Sequence, residues 1–223
     1  MRKRSVAVLL IVLELLVVGA GSMIAARYIV HKVRAANPAP AVYTAPPDPS
    51  EPGVHVRFSK NDLLNYETSL GDLLESPVDK DKVSLLIEKT EYRLTVLYDG
   101  RPVKQYPVVF GGNPLDDKLM QGDGCTPEGQ FIVQDLYLHD EFYRFLWLNY
   151  PNDDSWNKHN QTIADGVIPA DSAIGSDIGI HCEAGDDIDH GVNCTAGCIA
   201  MRKWDVGEVY DVSQKGTPVE IRH

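Results

Sequence analysis

Tyr92-Arg-Leu-Thr-Val-Leu-Tyr98-Asp99-Gly100-Arg101-Pro-Val-Lys-Gln-Tyr-Pro107 carries the clearest structural signal in the chain. Two runs rich in β-branched and aromatic residues flank its central Asp99-Gly100 pair. Such runs favour β-strands, and Asp-Gly between them is a strong signal for a tight turn joining antiparallel strands. The stretch therefore predicts a β-hairpin.

Further β-rich runs lie on both sides of this hairpin and are separated by turn signals. They are Val83–Glu88, Gly129–Gln134, Tyr143–Leu148, Ile178–His181 and Val219–Arg222. Many short strands of this kind predict a mainly β, sandwich-like domain with a few helices, which we place at residues 82–223. One helix is expected from near Lys203 to about Gln214.

Two segments precede this domain. Residues 58–81 read as an amphipathic helix and a connector, because apolar residues recur there at near-helical spacing up to Pro77. Residues 35–57 are rich in proline, which favours an extended, semi-rigid linker.

Residues 1–34 are predicted to form a cytoplasmic tail and a transmembrane anchor. The basic run Arg2-Lys3-Arg4 is followed by Ser5–Ala26, an apolar stretch in which Glu14 is the only charge. Its length suits a membrane span better than the core of a signal peptide, although a cleaved signal segment remains the alternative. The rest of the chain is then expected outside the cytoplasm.

The charge of the chain excludes one class of partner. The formal net charge is −11, and the first 34 residues are basic, so the acidity lies in the predicted domain. An acidic domain repels phosphates, and we therefore expect no nucleic-acid binding.

A cluster of cysteine and histidine residues is the main candidate for chemistry. The chain has four cysteines, of which Cys125 stands apart. The other three fall within 17 residues, beside two histidines: Cys182, Cys194, Cys198, His181 and His190. A metal site is one interpretation, but no C-x-x-C pair is present and the spacing matches no common zinc pattern. A set of structural disulfides is a second interpretation.

The third interpretation is a nucleophilic cysteine with a histidine base. Gly197 lets the chain turn sharply and expose the sulfur of Cys198, and backbone N–H groups there can bind an oxyanion. Thr195 can donate a hydrogen bond to the site. His181 ends a predicted strand, which is a rigid mount for a catalytic group.

The order Ile180-His181 … Thr195-Ala196-Gly197-Cys198-Ile199 resembles the L,D-transpeptidase (YkuD-type) catalytic domain. Runs at 98–108, 122–131 and 216–221 resemble the family's hairpin, Thr-Pro-x-Gly turn and closing strand, so the resemblance covers about residues 82–221. It implies that Cys198 is the nucleophile and His181 the base. It also implies that the Gly197 backbone forms the oxyanion hole, that Thr195 supports the site, and that the backbone carbonyl of Cys182 orients His181.

The resemblance further implies the reaction. Family members act on peptidoglycan stem tetrapeptides through a cysteine thioester, without a cofactor or a metal. The acyl group then passes to an amine, either of another stem (3-3 cross-linking) or of a lysine on an outer-membrane lipoprotein. The expected location is the cell envelope, with the chain anchored in the inner membrane and the catalytic domain in the periplasm.

Two departures from the family pattern keep alternatives open. Ala196 replaces the usual His and Ala200 the usual Arg or Asn. The alternatives are a hydrolytic relative, either an L,D-carboxypeptidase or an amidase that releases lipoprotein from the wall, and a non-catalytic wall-binding module. A papain-like peptidase would require the Cys before the His, which is the opposite of the order seen here.

Three further residues are interpreted as substrate-binding: Arg202, Tyr143 and His190. Arg202 is proposed to replace the missing cation of the family pattern. If Cys198 stays free, a disulfide between Cys182 and Cys194 is expected to close the loop between them and fix it over the site.

Overall fold

The computed structural model describes residues 62–183, 188 and 191–223. The predicted anchor (1–34), the linker (35–57) and the first residues of the predicted amphipathic helix lie outside these described residues. Among the described residues, no helix has the length and apolar character that a membrane crossing requires.

The hairpin predicted around Asp99-Gly100 is present. β2 (Arg93–Tyr98) and β3 (Arg101–Pro107) pair in antiparallel fashion, with Tyr98 opposite Arg101. Asp99 and Gly100 both have positive φ, at 51° and 71°, which is the conformation that the tight hairpin turn needs. β1 (Val83–Glu88) pairs with the other edge of β2 and turns alternate side chains into the core.

The remaining strands extend this sheet. They are β4 (Gly129–His139), β5 (Tyr143–Leu148), β6 (Gly179–Cys182), β7 (Ile199–Met201) and β8 (Pro218–Arg222). Within the described residues the eight strands have the order β3-β2-β1-β8-β4-β5-β6-β7. The long strand β4 connects the two halves, because its first residues pair with β8 and its later residues with β5.

The sheet is nearly closed, and this corrects the sandwich-like expectation. Val109, just after β3, forms two backbone hydrogen bonds of 3.0 and 2.9 Å with Ala200 of β7. The two outer strands of the sheet thus approach each other, and the apolar side chains between them form one core. The domain is mainly β with few helices, as predicted, but it resembles a barrel rather than two stacked sheets.

Three α-helices lie among the described residues: α1 (Leu70–Leu73), α2 (Asp153–Ala164) and α3 (Lys203–Val212). α3 confirms the helix predicted after Lys203. α2 was not predicted. Its start is marked by Asn152, whose side chain accepts a hydrogen bond from the Ser155 N–H as an N-cap.

The predicted amphipathic helix is wrong over the part that the structure describes. Between residues 62 and 76 only α1 is α-helical, because other elements satisfy the backbone groups of this segment. Gln105 of β3 bonds both the N–H and the C=O of Leu64, and Glu208 of α3 accepts the Leu70 N–H at 2.9 Å. The apolar spacing reflects packing of a turn-rich segment against β3 and α3.

Candidate active site

Two neighbouring strands bring His181 and Cys198 to the same part of the sheet. β6 and β7 are parallel, with Ile180 opposite Ile199 and His181 opposite Ala200. Cys198 directly precedes β7 and accepts a hydrogen bond from the Gly179 N–H. Side chains two residues apart on a strand share a face, so this register places Cys198 on the same face as His181.

The environment of His181 fixes which nitrogen can act. The ring is 3% exposed and stacks on Phe145, with centroids 5.7 Å apart and an angle of 8° between the rings. Its Nδ1 lies 2.9 Å from the backbone oxygen of Cys182. A carbonyl only accepts, so Nδ1 carries the proton and Nε2 of the neutral ring is free to take one. The role predicted for this carbonyl thus has the geometry it needs.

Burial also sets the protonation of His181 and Cys198. It lowers the pKa of the imidazole below its ordinary value, against the raising effect of the Cys182 carbonyl. Burial raises the pKa of the Cys198 thiol, opposed by the Gly179 N–H, and the Asp177 carboxylate raises it further. At neutral pH the pair is therefore a thiol and a neutral imidazole, and attack by the sulfur requires a base.

Thr195 organises the turn that carries Cys198. Its Oγ1 donates a hydrogen bond of 2.8 Å to the Cys198 carbonyl and accepts one of 3.1 Å from the Gly197 N–H. Its own N–H donates to Phe110 O at 3.2 Å, which ties the turn to the chain after β3. Thr195 thus supports the nucleophile through the backbone.

The turn before β7 offers two backbone N–H groups as candidate oxyanion donors, those of Gly197 and Cys198. The Gly197 N–H is already engaged by Thr195 Oγ1. Within the described part of the chain, the Cys198 N–H makes no hydrogen bond, so it is the better candidate donor. Gly197 has a different function: its φ is 140°, and a Cβ there would lie 2.6 Å from Cys125 O. Glycine is required for the turn to pack this closely.

The structure has no disulfide between Cys182 and Cys194, which corrects that expectation. The Cys182 side chain packs against the core at the end of β6, whereas Cys194 is exposed on the strand-like segment that Thr195 ties to Phe110. Burial raises the pKa of Cys125 to about 12, which makes that thiol unreactive.

The structure gives contacts for two of the three predicted substrate-binding residues. Arg202 follows β7, about 13 Å along the strand from Cys198, and it donates to Tyr66 Oη at 2.7 Å. Tyr143 has a φ of 64°, and Lys203 Nζ lies over its ring, 4.7 Å from the ring centroid. His190 lies outside the described residues.

Four residues of the site were missed from the sequence: Tyr137, Phe142, Phe145 and Asp177. Phe142 and Phe145 contact the His181 ring, and Tyr137 stacks on Phe145 with centroids 5.4 Å apart. The Cys198 Sγ donates to the Asp177 backbone oxygen at 3.4 Å. The recurrence of aromatic residues along β4, β5 and the turn between them was a usable signal for the first three, and Asp177 had none.

A family model described as the L,D-transpeptidase catalytic domain matches residues 82–221. No curated protein matches the chain.

Solved structures that resemble the chain have low sequence identity to it. An L,D-transpeptidase from Mycobacterium smegmatis is 15% identical, with a TM-score of 0.43, over 64% of this chain and 59% of that one. The helical cell shape determining protein Pgp2 from Campylobacter jejuni is 22% identical, with a TM-score of 0.49, over 63% and 47%. The chain thus spans about half to three fifths of these proteins.

Proposed function

The chain belongs to the L,D-transpeptidase catalytic domain family, and from that premise we propose that it is a cysteine acyltransferase acting on peptidoglycan stem tetrapeptides. One observation carries the proposal. His181 and Cys198 share a face of two paired strands, and the Cys182 carbonyl holds Nδ1 so that Nε2 is available as a base.

The reaction has two halves. The Cys198 sulfur attacks the carbonyl that precedes the terminal D-Ala, and its proton passes to Nε2 of His181. The C–N bond then breaks, D-Ala leaves with that proton on its amine, and a thioester remains. An acceptor amine attacks the thioester and gives its proton to His181. The C–S bond breaks, and the imidazolium returns the proton to the sulfur.

The tetrahedral intermediate in each half carries a negative oxygen. The Cys198 N–H supports it, because that donor is unused by the described residues and belongs to the attacking residue itself. Preorganised donors of this kind contribute a factor of about 10² to 10³ each. The Thr195 hydrogen bonds hold the turn, so the donor does not reorganise during the reaction.

The proposal is tested with the full chain in detergent and a disaccharide-tetrapeptide substrate. Mass spectrometry follows D-Ala release, and intact-protein mass follows the adduct formed with a carbapenem. We expect both D-Ala release and a single adduct. If neither D-Ala release nor an adduct is observed, the acyltransferase proposal is refuted and a wall-binding module is favoured.

A second candidate is hydrolysis in place of transfer, and two alanines favour it. The Ala196 side chain is exposed beside Thr195, and Ala200 is fully buried opposite His181. Neither position offers a polar group to hold an acceptor. Running the assay with and without an acceptor amine separates the two, since hydrolysis gives only a tripeptide.

We further propose that the domain works in the cell envelope, held at the inner membrane with its catalytic site in the periplasm. The apolar stretch Ser5–Ala26 after a basic tail supports this. Fractionation of cells and protease accessibility of the domain test it.

The pH dependence of kcat/KM follows from His181. The base must be neutral, and burial lowers the pKa of the imidazole, so the acid limb of the profile is expected below the ordinary value of about 6.5. Activity is thus retained above this limb and lost as the pH falls through it. Phe142→Ala exposes the ring and moves the limb upward. A wild-type limb at or above 6.5 would contradict this assignment.

A further inference from the structure

Asp177 has an unusual backbone conformation next to the nucleophile. It lies two residues before β6 with φ at 62°, a left-handed conformation that non-glycine residues rarely adopt. Aspartate tolerates this better than most residues, but the conformation still carries a cost. Its carbonyl accepts the hydrogen bond from the Cys198 thiol, so the conformation is coupled to the reacting sulfur.

Asp177 is exposed to solvent, and its backbone oxygen lies 3.4 Å from the Cys198 sulfur. The Ser176 hydroxyl donates to its Oδ2 at 2.6 Å. In the parts of the chain that the structure describes, no Lys, Arg or His side chain forms an ion pair with it. A negative charge therefore stands at the site without a protein cation.

The Asp177 charge acts on two groups, the Cys198 thiol and the Tyr137 hydroxyl. The carboxylate raises the pKa of the Cys198 thiol and of the Tyr137 hydroxyl, after the larger effect of burial in each case. Both groups therefore feel its field. Tyr137 belongs to β4 and is 39% exposed.

A carboxylate at this place hinders the chemistry of the free enzyme. Attack by sulfur develops negative charge on the substrate oxygen, and a nearby negative charge destabilises it. The other charged group that faces Cys198 is Lys118, which lowers the pKa of the thiol. Lys118 is buried and already paired with Asp123 at 2.9 Å, and so it does not neutralise Asp177.

We propose that Asp177 is a specificity-determining residue that binds a substrate ammonium group beside the Cys198 thiol. The proposal rests on the proposed function and deepens it. A bound ammonium group would pair with the carboxylate, remove its opposition to the developing oxyanion, and hold the scissile carbonyl near the sulfur. The selected substrates are then stem peptides or acceptors that carry a free primary amine.

Two sources can supply this ammonium group: the side-chain amine of the donor stem, and the acceptor amine. The probes are a stem tetrapeptide whose third residue has a free side-chain amine, and the same peptide with that amine acetylated. D-Ala release without an acceptor reports the donor source. Product formation against acceptor concentration reports the acceptor source.

The test compares Asp177→Asn with the wild type in the full chain. Asparagine keeps the size and the tolerance for positive φ while removing the charge. Asp171→Asn is the matched control, because Asp171 is an exposed carboxylate on the same loop. Exposed or partly exposed ion pairs are modest, so we expect kcat/KM for the free-amine probe to fall roughly three- to tenfold in Asp177→Asn. The acetylated probe leaves the carboxylate unpaired, so its kcat/KM should hold or rise in Asp177→Asn, whereas Asp171→Asn should change less than about twofold with either probe.

The outcomes are distinguishable from those of the proposed function. Loss of preference for the free-amine donor, or a raised KM for the acceptor, supports the inference and identifies the source. An unchanged preference with both sources overturns it. If the wild type itself releases no D-Ala, the proposed function fails. The rate at which iodoacetamide alkylates Cys198 still reports on Asp177, because removing its charge lowers the thiol pKa and speeds alkylation at pH 7–8.

Discussion

Cys198→Ala is expected to abolish both D-Ala release and the carbapenem adduct. The sulfur is the atom that forms the thioester, and alanine has no group that replaces it. Removing the nucleophile of a comparable catalytic unit lowers kcat by at least about 10⁴-fold. The measurement is D-Ala release by mass spectrometry, with intact-protein mass for the adduct.

Cys194→Ala is the matched control for this substitution. Cys194 lies four residues before Cys198, but it is exposed and is not a partner of the Thr195 hydroxyl. Its removal should leave kcat/KM within about twofold, as surface substitutions usually do. An adduct that persists in Cys198→Ala and disappears in Cys194→Ala would reverse the assignment of the nucleophile.

Local sequence signals predicted the parts of the fold that local physics determines. Asp99-Gly100 specified the hairpin because few other residues accept two consecutive positive φ angles. The helix after Lys203 also agreed. The helix predicted around Leu64 and Leu70 was wrong, because distant side chains accept hydrogen bonds from the backbone N–H groups there. Gln105 of β3 bonds Leu64, and Glu208 of α3 bonds Leu70. No window of sequence contains those partners.

The candidate site divides in the same way. Cys198, Thr195 and Gly197 lie in one turn, and the family resemblance pointed to them and to His181. Asp177 could not be predicted, since no sequence pattern indicates a positive φ at a non-glycine residue. The positive φ of Tyr143, 64°, is likewise not predictable from the sequence, and neither is the contact of its ring with Lys203.

The close packing of Gly197 against Cys125 makes Gly197→Ala the second substitution with a large expected effect. The alanine Cβ would lie 2.6 Å from the Cys125 carbonyl oxygen. This contact is too short, and relieving it requires the backbone at Gly197 or at Cys125 to move. Its φ of 140° adds a strain of about 1–3 kcal/mol for any side chain. The movement breaks the Thr195 hydrogen bonds and displaces the Cys198 sulfur and N–H together.

Because a displacement of about 1 Å costs roughly 10²-fold in rate, kcat/KM for D-Ala release should fall at least that far in Gly197→Ala. Gly216→Ala is the control, since Gly216 also has positive φ, at 91°, but no atom lies within 4 Å of its added Cβ. It should lower the melting temperature while keeping kcat/KM near that of the wild type. If both variants lose activity equally, general destabilisation explains the loss. If Gly197→Ala stays within about threefold of the wild type, the turn does not position the nucleophile, and the packing of Gly197 on Cys125 only stabilises the fold.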